Sequence, residues 1–322
     1  MFNPNYIMFS TILIISTISV TAANSWFNIW MMLEINLMSF IPMISKKSSY
    51  NSTETSIKYF LIQALSSSIM LFLIMNFQML QTFTYIILIP IMMKLGSPPF
   101  HFWFTNVMEG LSWTNCFILM TWQKMAPISI TTFYNNKLLV IMISISAIMV
   151  GSMGGLNQTS IRKLLTFSSI NHLGWMMTIN IFNEQVWMKY FIIYMIMNMS
   201  LIMILNKYIY NMKQIFLKLN PTLSMTFTLN LLSLSGLPPL LGFLPKWISM
   251  QLLTYMNLLP LSTTMIMFSL PMLFYYFYLM YNNLSIFFLS NSWKSSQSSL
   301  NISMIISLTI ILMLPMLTPL WI

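Results

Sequence analysis

Five ionisable side chains lie within stretches of the sequence that are otherwise strongly apolar. They are Glu34, Lys94, Lys124, His172 and Lys246. A charge at the centre of a bilayer costs about 2.5 to 3.5 kcal/mol on insertion scales, so such residues face the interior of a helix bundle and mark ion or proton pathways. Burial disfavours the charged form of an amine and a nearby carboxylate favours it, so a buried lysine near a carboxylate can change its protonation state. This set therefore predicts proton transfer.

The same residue types are poorly suited to holding metal ions or redox groups. A Na⁺ or K⁺ site needs several carboxylate and carbonyl oxygens, whereas these stretches offer one carboxylate against three ammonium groups. Cys116 is the only cysteine, which excludes an internal disulfide and a thiolate cluster. We therefore expect no metal and no cofactor to be bound by this chain. His172 can donate and accept a proton through its two ring nitrogens and is predicted to relay protons, whereas the role of His101 stays open.

A structural role is the alternative for each of these residues. Glu34 could form an ion pair, His172 could be satisfied by a neighbouring helix, and each lysine could be held by backbone carbonyls. Four costly residues at similar depth are hard to explain by packing alone, which favours the functional interpretation for Glu34 and the three lysines.

Apolar stretches that could position these residues make up most of the chain. Of its 322 residues, 57% are hydrophobic and 6% are charged, compared with roughly 25% charged residues in soluble proteins. About eleven stretches are long enough to cross a bilayer. They lie at 6–23, 26–44, 56–77, 83–104, 113–133, 138–156, 164–182, 186–205, 223–253, 261–279 and 300–320. The predicted fold is an all-α polytopic membrane protein with a single transmembrane domain over residues 1–322.

Two of the predicted spans, the fourth and the ninth, contain the pattern Gly-x-Pro-Pro, at 96–99 and 236–239. Proline lacks a backbone donor, so each span should divide into two half-helices whose freed carbonyls need partners. The two breaks are five spans apart, and an odd separation means that the second set of five enters the membrane from the opposite face. The sequence thus predicts an inverted repeat with halves at roughly 6–133 and 138–279 and an extra C-terminal helix at 300–320. The alternative is that Gly and Pro are simply common in membrane helices.

Basic residues are distributed unequally between alternate loops. One side receives Lys46, Lys47, Arg162, Lys163, Lys207, Lys213, Lys218 and Lys294, and the other receives Lys137, Lys189 and Glu184. The positive-inside rule places the N-terminus on the matrix or cytoplasmic side and the C-terminus opposite. The net charge of +10 is interpreted as this topology signal, so no nucleic-acid partner is expected.

Three uncharged aromatic or polar runs also lie within the apolar stretches. Phe274 to Tyr278 is interpreted as lipid-facing or interfacial packing. Ser66 to Ser68 and the pair Ser168 and Ser169 could hydrogen-bond across helices or line a wet channel.

The ionisable residues stand in motifs that resemble a known family. These motifs are Met32–Asn36 (MLEIN), Lys94–Gly96 with Pro99–Trp103 (PFHFW), Thr121–Lys124 (TWQK), Gly154–Gln158 (GGLNQ), Ser168–Trp175 (SSINHLGW), and Gly236–Pro239 (GLPP) with Gly242–Trp247 (GFLPKW). In this order they resemble the chain 2 family of NADH:ubiquinone oxidoreductase, the antiporter-like subunits of mitochondrial respiratory complex I, in an insect-like form. Two departures occur, because Thr105 and Pro98 stand where the family often has Pro and Ala.

The resemblance implies a proton-translocating, non-redox subunit of the membrane arm in the inner mitochondrial membrane. It implies that Glu34 and Lys94 act as a coupled pair, that Lys124 connects and that Lys246 is the distal lysine. It further implies that NADH, FMN, iron-sulfur clusters and ubiquinone are bound by partner subunits of the H⁺-translocating reductase. Expected neighbours are other antiporter-like subunits, small membrane subunits and lipids including cardiolipin. A free-standing cation/proton antiporter and a structural scaffold are the alternatives.

Overall fold

A computed structural model of the chain describes residues 4–45, 50–76, 86–133, 137–206 and 221–290. These residues form α-helices joined by turns, and no β-strand occurs within the described ranges, which confirms the all-α prediction. The predicted eleventh span at 300–320 lies outside the described residues. So do six of the basic residues used for topology: Lys46, Lys47, Lys207, Lys213, Lys218 and Lys294.

The chain divides into two compact units, Met1–Ala147 and Ile148–Ile322, and α8 crosses the boundary between them. The first unit contains α1 (Pro4–Thr21), α2 (Trp26–Ile44), α3 (Tyr50–Met75), α4 (Leu88–Leu95), α5 (Phe102–Gly110), α6 (Trp113–Met120), α7 (Trp122–Thr131) and the start of α8 (Lys137–Gly155). Here α2 packs between α1 and α3, while α3 also contacts α4 and α5. Helix α7 contacts both α1 and α4, which brings the fourth and fifth predicted spans together.

The second unit contains the end of α8, α9 (Ile161–Asn180), α10 (Glu184–Leu205), α11 (Pro221–Ser235), α12 (Phe243–Tyr255) and α13 (Leu259–Ser290). Helix α9 contacts α10, α12 and α13, and α11 contacts α10 and α13. Every residue of α9 from Leu164 to Asn180 is buried, although the helix carries several hydroxyl, amide and imidazole side chains. A helix that is buried on all sides is covered by protein, so α9 forms the centre of this unit.

Six helices of the described ranges are long and apolar enough to cross a membrane, namely α1, α2, α3, α8, α10 and residues Leu259–Tyr281 of α13. The chain is therefore a multi-pass membrane protein. Helices also occupy the other predicted spans up to the tenth, but they are shorter or more polar. The count of eleven spans, the single domain and its two repeat halves stay predictions.

The helical path is interrupted at both Gly-x-Pro-Pro segments. Helix α4 ends at Leu95 and is followed by Gly96 at φ 67°, and α11 ends at Ser235 and is followed by Gly236 at φ 83°. Positive φ is accessible to glycine at little cost, so each glycine can turn the chain out of its helix. The next helices, α5 and α12, begin only after the prolines.

A further interruption occurs in the stretch 113–133, which the sequence predicts as one continuous span. Thr121 has φ −112° and ψ −80° and separates α6 from α7. Its hydroxyl and its amide both donate to the carbonyl of Phe117, at 2.7 and 3.0 Å. Back-bonding of a threonine hydroxyl to the preceding turn bends helices, which gives a physical reason for this break.

Candidate functional site

In the first unit, Lys94 and Lys124 line the same cavity. Lys94 lies in the last turn of α4, and Lys124 lies in the first turn of α7, just after the interruption at Thr121. The two residues are 8% and 2% exposed. The cavity offers about 20 Å³ to the centres of water molecules and is also lined by Tyr59 and Gln123. One water needs roughly 10 to 15 Å³ by this measure, so the cavity is large enough for water between polar groups.

The carbonyls at the end of α4 accept hydrogen bonds from neutral donors. The indole of Trp103 donates to Met93 at 3.0 Å, and the amide of Gln63 donates to Lys94 at 3.3 Å. The backbone N–H of Ser97 donates to Met92 at 3.2 Å. At the first break, the backbone carbonyls thus accept hydrogen bonds from neutral donors on α3, on α5 and on the segment that follows α4.

Lys124 is positioned by an aromatic ring. Its Nζ lies 4.8 Å from the centroid of the Phe104 ring, which α5 supplies from just beyond the first break. Such a cation–π contact stabilises an ammonium by electrostatic attraction to the face of the ring. The break and the lysine of the neighbouring span are therefore physically connected through Phe104.

Glu34 lies on α2 and is half-buried, whereas the three lysines and His172 are buried. It is close enough to both Lys94 and Tyr59 to interact electrostatically. The carboxylate of Glu34 is not in direct contact with the ammonium of Lys94, unlike the carboxylate of Glu54, which lies 2.6 Å from Lys58. Glu34 therefore acts on Lys94 across a gap.

In the second unit, the backbone carbonyls at the end of α11 form hydrogen bonds with two of the predicted residues. Leu234 and Ser235 are the last residues of α11. The carbonyl of Leu234 lies 3.1 Å from Nε2 of His172, and the carbonyl of Ser235 accepts from Nζ of Lys246 at 2.8 Å. His172 and Lys246 are 0% and 4% exposed. The carbonyls freed by this break therefore have ionisable partners.

Gly236 allows this close approach of Lys246. A Cβ atom at Gly236 would lie 2.9 Å from Cδ and 3.1 Å from Nζ of Lys246, closer than ordinary van der Waals contact. Glycine is thus required at this position for two reasons, its positive φ and the space that the lysine occupies.

Sequence reasoning missed several buried tyrosines, of which two lie beside His172. The hydroxyl of Tyr190 lies 2.8 Å from Nδ1 of His172, and the ring centroid of Tyr194 lies 5.1 Å from that of the imidazole. Tyr275 and Tyr276 are 3% and 0% exposed, so the interpretation of the run Phe274 to Tyr278 as lipid-facing or interfacial packing is wrong for these two residues. The spacing of Tyr190 and Tyr194, one helical turn apart, was the available signal that both lie on one face of α10.

His101 and the serine runs have local roles in the structure. The carbonyl of His101 accepts the N–H groups of Phe104 and Thr105 at the start of α5, and its ring lies 4.2 Å from that of Phe102. Ser168 and Ser169 are buried in α9, and their hydroxyls donate to carbonyls of the preceding turn. These serines can reorient toward other partners only by giving up a local hydrogen bond.

Comparison with known proteins identifies the family. The sequence model of the NADH:quinone oxidoreductase/Mrp antiporter transmembrane family matches residues 23–86 and 73–270 of this chain. NADH-ubiquinone oxidoreductase chain 2 of Anopheles gambiae is 44% identical over 89% of this chain and 88% of its own length, and that of Aedes aegypti is 42% identical over 94% of each. A chain of respiratory complex I from Thermus thermophilus has the same fold, with a TM-score of 0.81 over 99% of this chain and 79% of that chain at 18% identity.

The two mosquito relatives have the same name, this chain matches most of the length of each, and the motifs that carry the resemblance lie within the matched region. The family expected from those motifs is confirmed. The chain belongs to the NADH-ubiquinone oxidoreductase chain 2 family.

Proposed function

We propose that this chain is a proton-translocating, non-redox subunit of the membrane arm of respiratory NADH:ubiquinone oxidoreductase. The observation that carries the proposal is the burial of three lysines beside helix interruptions, each less than a tenth exposed. Lys94 precedes the break at Gly96, Lys124 follows that at Thr121, and Lys246 follows that at Gly236. Buried charges in membrane helices are expensive, and their placement at freed backbone groups and a cavity is typical of ion pathways.

The residues have different roles in this proposal because their side chains differ in chemistry. A lysine can alternate between ammonium and amine, and the cavity between Lys94 and Lys124 has room for a water that could pass a proton between them. Glu34 stabilises the ammonium of Lys94 from across a gap, so a change in either charge is felt by the other. Lys246 and His172 contact successive carbonyls, and Lys246 is the distal carrier in this scheme.

Electron transfer belongs to other subunits in this proposal. NADH, FMN, the iron-sulfur clusters and ubiquinone would be bound there, and this chain would bind no cofactor. Its neighbours would be other antiporter-like subunits, small membrane subunits and lipids including cardiolipin. The proposed location is the mitochondrial inner membrane, and its support is that the relatives are named as chains of NADH-ubiquinone oxidoreductase.

The proposed topology has eleven spans, an inverted repeat with discontinuous fourth and ninth spans, the N-terminus in the matrix and the C-terminus in the intermembrane space. Its support is the bias of basic residues between alternate loops. Protease protection in mitoplasts tests it with a tag placed after Ile322. A tag that is accessible only from the matrix would show that the span count or the treatment of 223–253 as one broken span is wrong.

The central experiment replaces Lys246 by Met, which keeps a long side chain but cannot bind a proton. The control is Lys58→Met, because Lys58 is about half exposed in a surface ion pair that contributes little. We expect both complexes to assemble on native gels and to oxidise NADH with artificial acceptors of the peripheral arm. Quinone-coupled activity and proton uptake should fall by at least about tenfold only in Lys246→Met.

Lys246→Arg sharpens this experiment, because a guanidinium stays protonated and cannot relay. It should be nearly as damaging as Lys246→Met although the positive charge is kept. If Lys246→Met takes up protons per NADH at the wild-type ratio and rate, the carrier role is wrong and a structural scaffold is favoured.

A further inference from the structure

We infer that protons enter and leave His172 through the hydroxyl of Tyr190. This inference rests on the proposed function and assigns a further proton-transfer residue to the same pathway. It is carried by the two hydrogen bonds of the His172 ring, which lie on opposite sides of the imidazole and end on partners of different chemistry.

The partner of Nε2 determines the tautomer of His172. That nitrogen lies 3.1 Å from the backbone carbonyl of Leu234, and a carbonyl oxygen only accepts hydrogen bonds. Nε2 must therefore carry a hydrogen. In the neutral ring the lone pair is then on Nδ1, so the hydroxyl of Tyr190, 2.8 Å away, donates to it.

The Nε2 side offers no exit for a proton. An amide carbonyl is too weak a base to take up the hydrogen of an imidazole, and Leu234 is held in place at the end of α11 beside the bond from Lys246 to Ser235. Exchange through Nε2 would need the ring to leave this carbonyl unsatisfied in a fully buried site, which is unfavourable. Nδ1, and hence Tyr190, is the remaining route.

The transfer step balances without forming a tyrosinate. An excess proton, delivered by a hydronium ion, binds the Tyr190 oxygen and leaves a neutral water behind, while the original O–H bond of Tyr190 breaks and an N–H bond forms at Nδ1. The product is an imidazolium that donates from both nitrogens, to Leu234 and to Tyr190, and the tyrosine is again neutral. Discharge of the ring is the reverse step.

Tyr194 lies beside this relay without belonging to it. It is one turn further along α10 and close enough to Tyr190 to interact electrostatically. Its hydroxyl lies near Ser169 and Asn198, whereas the two ring nitrogens of His172 bond to Tyr190 and Leu234. Tyr194 thus shares the surroundings of Tyr190 but not its hydrogen bond to the imidazole.

Tyr190→Phe tests the inference, because it removes only the hydroxyl from a ring that is 1% exposed. The matched control is Tyr194→Phe, since Tyr194 is 0% exposed on the same helix and its ring also faces His172, but the two ring nitrogens bond elsewhere. We expect quinone-coupled activity to fall by at least about tenfold in Tyr190→Phe and to stay within about twofold of wild type in Tyr194→Phe.

Two readouts separate a relay from a packing role. The ratio of coupled rates in H₂O and D₂O should rise in Tyr190→Phe, because a proton step becomes rate-limiting. In a His172→Gln background, where the side-chain amide can still donate to Leu234, adding Tyr190→Phe should cause no further loss. Equal rates and isotope ratios in the two Phe variants, or losses that multiply in the double variant, would overturn the inference.

If the complex with Tyr190→Phe does not assemble, a second pair of variants at the same position tests the inference. Tyr190→His keeps a hydrogen-bonding, proton-carrying ring and should retain more coupled activity than Tyr190→Leu, whereas equal losses would again overturn the inference. Failure of the proposed function is distinguishable, because Lys246→Met and His172→Gln would then both show wild-type proton uptake. If those two variants are impaired and Tyr190→Phe matches Tyr194→Phe, only the present inference is wrong.

Discussion

The two helix breaks share the pattern Gly-x-Pro-Pro but satisfy their free carbonyls in different ways. In the first unit, the donors at the end of α4 are neutral groups such as the Trp103 indole and the Gln63 amide. In the second unit, the donors at the end of α11 are His172 and Lys246. The pattern thus specifies where the helix ends. Residues of other segments determine whether the free carbonyls accept hydrogen bonds from neutral groups or from ionisable groups.

The lysines of the two regions therefore have different surroundings. The lysines of the first unit line a cavity, so their protons can exchange with water. Lys246 donates directly to the backbone carbonyl of Ser235, so the second break itself sets the position of this lysine. Perturbing the second break should therefore affect proton movement more strongly than an equivalent change at the first.

The largest expected effect is that of Gly242→Ala in the second unit. A Cβ atom there would lie 1.7 Å from the carbonyl oxygen of Ser233, which is backbone and cannot move aside. Overpacking costs about 1 to 3 kcal/mol even where side chains can yield, so we expect the assembled complex to be absent from native gels. Gly96→Ala is the comparison, since its Cβ would meet Phe104 at 3.0 Å. Equal amounts of assembled complex in the two variants would contradict the closer packing of the second break.

Gly236→Ala should have the next largest effect, and it should act on coupling. The added methyl group would displace Lys246 from Ser235, and a left-handed conformation costs a non-glycine residue roughly 1 to 2 kcal/mol. Gly96→Ala has the same backbone cost at φ 67°, but its methyl group would meet Phe104 and not a lysine. Proton uptake per NADH should therefore fall more in Gly236→Ala than in Gly96→Ala, which affects Lys124 only through the Phe104 ring. Equal losses in the two variants would contradict the contrast between the breaks.

Glu34→Gln should have an intermediate effect. The amide keeps the size of the side chain but removes the charge that acts on Lys94 across the gap. We expect the complex to assemble and its coupled activity to fall by about two- to tenfold, corresponding to roughly 0.4 to 1.4 kcal/mol. Wild-type pumping by this variant would show that Glu34 and Lys94 are not coupled.

Ser97→Ala should have the smallest effect. Its hydroxyl makes a long bond of 3.4 Å to the carbonyl of Met92, which also accepts the backbone N–H of the same residue. A neutral hydrogen bond contributes about 0.5 to 1.5 kcal/mol, so thermal inactivation of the complex should shift slightly while proton uptake stays unchanged. A large loss of proton uptake would mean that the neutral donors of the first break also take part in transfer.

The sequence predicted the all-helical fold well because helices depend on local apolar patterns. Helix α2 has the predicted bounds of 26–44, whereas the discontinuous fourth and ninth spans stay predictions. The interruption at Thr121 was not predicted, because it depends on a hydrogen bond of one side chain to the carbonyl of Phe117. Threonine at that position does not by itself specify such a bond.

The contacts of the site were harder to predict because they join distant parts of the chain. His172 and Leu234 are 62 residues apart, and nothing in either segment specifies this pairing. The burial of Tyr275 and Tyr276 was missed because lipid and protein interior are both apolar, so hydropathy does not distinguish a lipid-facing aromatic residue from a protein-facing one. The partial exposure of Glu34 was not predicted either, because hydropathy does not show which face of a helix is covered by protein.

The complete burial of α9 also has a consequence for biogenesis. A nascent segment enters the bilayer according to its own apolar surface, and α9 is not among the described helices that are apolar enough to do so alone. It is covered by α8 and by α10, α12 and α13, and the last three follow it in the chain. Helix α10, which is apolar enough, follows after the short turn at 181–183. We therefore expect the insertion machinery to accept α9 and α10 as one hairpin and to retain this pair until the later helices have been synthesised.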